Sequence, residues 1–64
     1  MTEYWEILLP QRRKTVTYAR NTQEEAFAFA RDCEAKGHGV GVWHATVVAG
    51  RTGKEYVEPM EWRK

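Results

Sequence analysis

Along the chain, four short runs carry the apolar pattern of strands, strictly alternating over residues 15–19, and one run repeats its apolar positions with a helical period. In Glu3-Tyr4-Trp5-Glu6-Ile7-Leu8-Leu9, aromatic and branched residues predict a strand with Trp5, Ile7 and Leu9 on one face and Tyr4, Glu6 and Leu8 on the other. Pro10 is expected to end it, because proline cannot donate to a ladder. Gln11-Arg12-Arg13-Lys14 reads as a polar connection, and Thr15-Val16-Thr17-Tyr18-Ala19 as a second strand paired with the first as a hairpin. Asn21-Thr22 followed by Gln23-Glu24-Glu25 is a helix start, with Glu25 at the capping-box position relative to Thr22. Both glutamates also suit the positive end of the helix dipole. The helix is predicted from about Thr22 to Lys36, with Gly37 in the left-handed conformation that terminates it.

At 100° per residue, Ala26, Ala30 and Cys33 form a narrow spine flanked by Phe29 and Phe27, while Glu24, Arg31, Asp32 and Ala35 point to water. Small spine residues let a helix lie close to a sheet. Val40 to Val48 is the longest apolar stretch. Bulk on both of its alternating faces marks a central strand, and Gly41 is expected to allow a close helix–sheet approach. Ala49 to Gly53 reads as a turn, Lys54 to Glu58 as a weaker fourth strand demoted at its far end by Pro59, and Met60 to Lys64 as a tail that Trp62 can pin.

The order ββαββ predicts an α+β fold of two layers, a single helix on one face of a four-stranded sheet. The helical crossover makes the second and third strands parallel, so another strand lies between them. The order 2-1-3-4 keeps the strong third strand internal and puts the Pro59 strand at an edge, which favours it over 2-1-4-3. The latter layout is similar to that of small β-grasp immunoglobulin-binding domains, with which the chain shares an element order and no motif.

With 64 residues, 42% of them hydrophobic and 30% charged, the chain is one small domain with a thin core and little room for an enclosed cavity. Three Trp, three Tyr and two Phe separate it from disordered sequences. One cysteine forbids an internal disulfide, and no apolar leader or 18-residue apolar run is present, so a cytoplasmic location is expected. The initial Met and the compact pattern to Lys64 lead us to expect a complete small protein.

Candidate chemistry is sparse. Cys33, His38 and His44 are the soft metal-ligand set, but they fall on a helix spine, beyond a cap and mid-strand, without the paired short spacings zinc sites use. A catalytic thiolate wants a helix N-terminus or a cationic neighbour, whereas Cys33 lies toward the helix C-terminus. The run Gly37-His38-Gly39-Val40-Gly41 precedes a strand and lacks the Lys-Ser/Thr pair of a phosphate loop. Tautomerases of this size use an N-terminal proline, and this chain begins Met-Thr. The expectation is a protein that is not an enzyme and has no cofactor, metal, membrane or small-molecule substrate.

Two surfaces remain. Arg12, Arg13 and Lys14, joined by Arg20, make the first 21 residues basic although the whole chain carries only +1. They are candidate phosphate contacts, with a stripe through Arg51, Lys54, Arg63 and Lys64 as the observation that would extend them. The junction Tyr18 to Ala26 resembles that of the arm-binding domains of phage integrases, in which a sheet enters the major groove; those domains place three strands before the helix, where two are read here. The second surface is the sheet face that a lone helix leaves uncovered. Tyr4, Leu8, Trp43, Val47 and Val57 are expected there, unless the register slips by one residue or the tail folds back with Met60 and Trp62 over it. A non-enzymatic binding protein, an inhibitor or adaptor of the kind found among phage and mobile-element accessory proteins, is therefore expected to act through this face on a protein partner or on its own copy. Nucleic-acid binding through Arg12, Arg13, Lys14 and Arg20 is the alternative.

Overall fold

Local signals set the element ends in the computed structural model, which describes residues 1–63. Strands β1 (Thr2–Pro10) and β2 (Thr15–Arg20) are followed by helix α1 (Gln23–Ala35), strands β3 (Gly41–Val48) and β4 (Arg51–Val57), and a one-turn helix α2 (Pro59–Trp62). Thr22 caps α1: its hydroxyl accepts from the Glu25 N–H at 3.2 Å and donates to the Glu25 carboxylate at 2.8 Å. At the other end Gly37 takes φ +90°, the Gly37 N–H bonds Glu34 O and the His38 N–H bonds Cys33 O, satisfying carbonyls that the helix leaves open.

The sheet is antiparallel at every pairing and runs β2-β1-β3-β4, the favoured order. The central pair is β1 and β3, the two strands with the most apolar content. Pro10 closes β1 while still standing opposite Thr15, a place proline tolerates at a strand end. The β1–β2 connection is tight, with the Gln11 N–H bonded to Lys14 O at 2.7 Å.

One face of the sheet carries the core. Trp5, Ile7 and Leu9 of β1, Val42 of β3 and Val57 of β4 meet Ala26, Ala30 and Cys33 of α1, with Phe27, Phe29 and Val40 packed around them. Ala26 and Ala30 are fully buried. A helix with this narrow alanine spine sits low on the sheet, where larger side chains would hold it off.

Three features of the sequence reading are corrected. The β3–β4 turn is only Ala49-Gly50, both with positive φ, so β4 starts at Arg51 rather than Lys54. Such a two-residue turn matches the twist of its flanking strands. Gly41 faces away from α1: a Cβ there would meet the Leu8 Cβ at 4.0 Å on the opposite face. The chain after Pro59 is not a tail but α2, whose Trp62 is completely buried in the core beneath α1. Pro59 opens that helix, a position where its missing N–H costs nothing. Arg31 donates to Trp62 O at 3.0 Å, and Arg63 forks onto the Glu34 carboxylate, its Nε 2.9 Å from Oε2. The Trp62 Nε1–H has no partner among the described residues.

Candidate protein-binding face

Period-two alternation sends the remaining side chains of all four strands to the face that α1 does not cover. The register places them in rows. Glu6, Trp43 and Tyr56 are side by side across β1, β3 and β4; below them stand Tyr4, Ala45 and Lys54; then Thr2, Val47 and Thr52. Leu8 lies above Glu6, flanked by Thr17 of β2 and by Gly41. The Trp43 and Tyr56 rings meet edge to face with centroids 5.1 Å apart.

One ion pair crosses the face. Lys54 Nζ reaches diagonally over β3 to Glu6 Oε1 at 2.6 Å. The long lysine stem passes above Ala45, which explains why that alanine is fully buried on a side without a helix. The hydrogen bond and charge of Glu6 raise the Lys54 ammonium above the ordinary lysine value. Glu6, Leu8, Thr17, Trp43 and Lys54 together line a shallow cavity of about 330 Å³. A larger depression of about 550 Å³ lies along the solvated flank of α1 between Gln23 and Arg31.

Tyr4, Leu8, Trp43 and Val47 are thus brought onto one face, each half-buried because its neighbours in the rows shield its flanks. Val57 is not with them. It is opposite Val42, points toward α1 and is only 8% exposed. Its place is taken by Tyr56, 45% exposed, which the sequence reading missed. The signal was present: a two-residue Ala49-Gly50 turn puts Val48 opposite Arg51, and counting back along both strands puts Trp43 opposite Tyr56.

The basic residues do not gather as expected. Arg12, Arg13 and Lys14 are exposed in the β1–β2 connection. Arg20 is at the other end of β2, on the α1 side, its guanidinium 4.6 Å from the centre of the Phe29 ring and bonded to Ala19 O at 2.7 Å. The proposed stripe is also broken, since Lys54 is paired with Glu6 and Arg63 with Glu34; Lys64 lies outside the described residues. The glutamate raises the Arg63 guanidinium, as Asp32 raises the Lys36 ammonium at 3.1 Å.

Cys33 is buried on α1, His38 is exposed beyond its cap, and His44 lies flat on Trp5 with ring centres 4.6 Å apart and its Nε2 3.0 Å from Glu3. Among the described residues no three His, Cys, Asp or Glu side chains gather around a point that could hold a metal ion, and no helix is long and apolar enough to cross a membrane. No family model matches the chain, and no curated protein or solved structure matches it.

Proposed function

We propose that this chain is a non-enzymatic binding protein that works through its uncovered sheet face, with a second copy of itself as the occupant. The observation that carries the reading is that Tyr56, Trp43, Tyr4, Leu8 and Val47 share a face to which the described residues bring no second layer. Aromatics give large contact area for few lost rotamers, which makes them common interface anchors.

The face suits its own copy for two reasons. Its central charges, Glu6 and Lys54, cancel, so two copies meet without net repulsion. A two-fold axis lying across the strands between Trp43 and Ala45 sets each Trp43 on the partner copy's Lys54 stem, an apolar surface above the buried Ala45. Four strands ~4.8 Å apart and about seven residues long at ~3.3 Å each give a face of roughly 440 Å². Two such faces bury roughly 900 Å², the range of weak and reversible contacts.

Sedimentation velocity from ~10 µM to ~1 mM tests this, a span that covers weak association. A concentration-dependent dimer is expected, lost in Trp43→Ala while circular dichroism shows the fold retained. A wild type that stays monomeric, or a Trp43→Ala chain that dimerises as before, overturns the reading. Nucleic-acid binding by Arg12, Arg13, Lys14 and Arg20 ranks below it, because these cations sit at opposite ends of a strand instead of forming one patch.

A further inference from the structure

The two outer strands of the sheet are unlike. Edge strands expose unpaired N–H and C=O groups, and proteins usually guard them with charges or proline. β4 is guarded: Lys54 and Glu55 are in its middle and Pro59 follows it closely. β2 is not guarded in this way. Its central residues Val16-Thr17-Tyr18-Ala19 carry no charge and no proline. Thr17, Tyr18 and Ala19 are all exposed, and no strand lies outside β2 in the sheet.

The cations of the amino-terminal half bracket this edge. Arg12, Arg13 and Lys14 precede β2 and Arg20 ends it, with no acidic residue between Gln11 and Arg20. Six residues at ~3.3 Å each separate the two groups by roughly 20 Å. None of the four has a carboxylate within salt-bridge distance among the described residues, whereas Lys36, Lys54 and Arg63 do. Beside the strand on the α1 side, Tyr18 rests on Phe29 with ring centres 4.9 Å apart and is 38% exposed, leaving an aromatic shelf along the edge.

We propose that the β2 edge binds an extended peptide segment that is acidic at both ends and apolar or hydroxylic between them, adding it to the sheet as a fifth strand. The backbone of β2 supplies the ladder, the Tyr18–Phe29 shelf takes an alternate side chain, and the bracketing cations select the acidic flanks. A second copy is a poor occupant here. Two-fold antiparallel pairing of β2 with itself brings the loop cations of one chain beside Arg20 of the other at both ends, and like charges in register are unfavourable. A nucleic-acid strand would use the cations but not the neutral, unpaired backbone between them. The site lies in the plane of the sheet, so it is independent of the open face and both can be filled at once.

The probe is a fluorescein-labelled peptide of about ten residues, with glutamates at both ends and alternating Val and Thr between, the length and pattern of an added strand. Its anisotropy is measured with the full chain at ~50 mM and ~300 mM salt, where exposed ion contacts differ in screening. Saturable binding is expected at low salt, weaker at high salt, with new amide-exchange protection confined to β2. The Arg12→Ser/Arg13→Ser/Lys14→Ser variant alters only exposed connection residues and should bind about tenfold more weakly or worse. The same peptide with two central prolines should not bind, and Trp43→Ala should bind like wild type. Absence of peptide binding, binding that leaves β2 amides unprotected, or equal binding of the proline peptide overturns the proposal. So does a labelled single-stranded or duplex DNA that binds while the peptide does not.

Discussion

Replacing Trp62 with alanine is expected to remove most of the stability of this protein, although the residue stands third from the carboxyl end. Trp62 is fully buried and is the largest of the fully buried side chains. Truncating such a residue costs about 3–5 kcal/mol, transfer and cavity terms together. A chain of this length, at ~0.05–0.15 kcal/mol per residue, has a total of only about 3–10 kcal/mol to lose. Loss of the docked α2 also frees Arg31 from Trp62 O and Arg63 from Glu34. Those partly exposed contacts are a small share, because solvent and salt screen them. The assay is urea unfolding followed by far-ultraviolet circular dichroism, which does not depend on the tryptophan removed. Trp62→Phe is the informative companion. It keeps a ring in the core and deletes an indole N–H that has no partner, relieving a penalty of about 1–3 kcal/mol while losing some packing. It should therefore fall well short of the alanine variant, and Arg63→Ala should shift the midpoint least of the three. If Trp62→Ala unfolds at the wild-type urea concentration, α2 is not docked and the core lacks its largest member. If Trp62→Phe is as damaging as alanine, the indole N–H is satisfied and the assignment of an orphan donor is wrong.

Ala49 holds φ +50° in a two-residue turn, so Ala49→Gly or Ala49→Asn should stabilise by about 1 kcal/mol, read as a raised melting temperature; a lowered one would refute the turn geometry. Ala30 is fully buried against the sheet, and Ala30→Leu should overpack the gap at a cost of about 1–3 kcal/mol in urea unfolding, whereas no loss would place the spine toward solvent. Cys33 is buried in the same spine, and a bulky thiol reagent should modify it only at the rate of unfolding; fast native-state labelling would show the helix face to be misassigned. The Lys54 ammonium is raised by Glu6, so its pairing stabilises the fold fully below the ordinary lysine value and loses that contribution as pH climbs through the raised one. A carbon-13 titration of Lys54 should give a midpoint above that of an unpaired lysine, and Glu6→Gln should bring it back down.

The parts of this protein legible in its sequence are those decided within a few residues. Thr22 and Glu25 cap α1 because both partners sit on one turn, and Gly37 ends it because only a residue free of a Cβ penalty adopts that φ easily. The alanine spine followed from helical period alone. The strand order followed from a crossover rule, with the nearby Pro59 favouring an edge place for the fourth strand. On β1 and β3 the faces were also readable, so Tyr4, Leu8, Trp43 and Val47 were placed on the open side. On β4 they were not. Val57 and Tyr56 are adjacent, both fit a strand, and a slip of one residue exchanges their faces; the choice rests on the length of the Ala49-Gly50 turn, which lacks the asparagine that usually announces it. The separation of Arg20 from Arg12, Arg13 and Lys14 needed the direction of β2, and the Lys54–Glu6 pair needed two strands that are 48 residues apart in the chain to lie on either side of a third. Trp62 shows the same limit. A tryptophan near a chain end could cover either layer, and only the unfilled space beneath α1, created by the small side chains chosen there, draws it to that side.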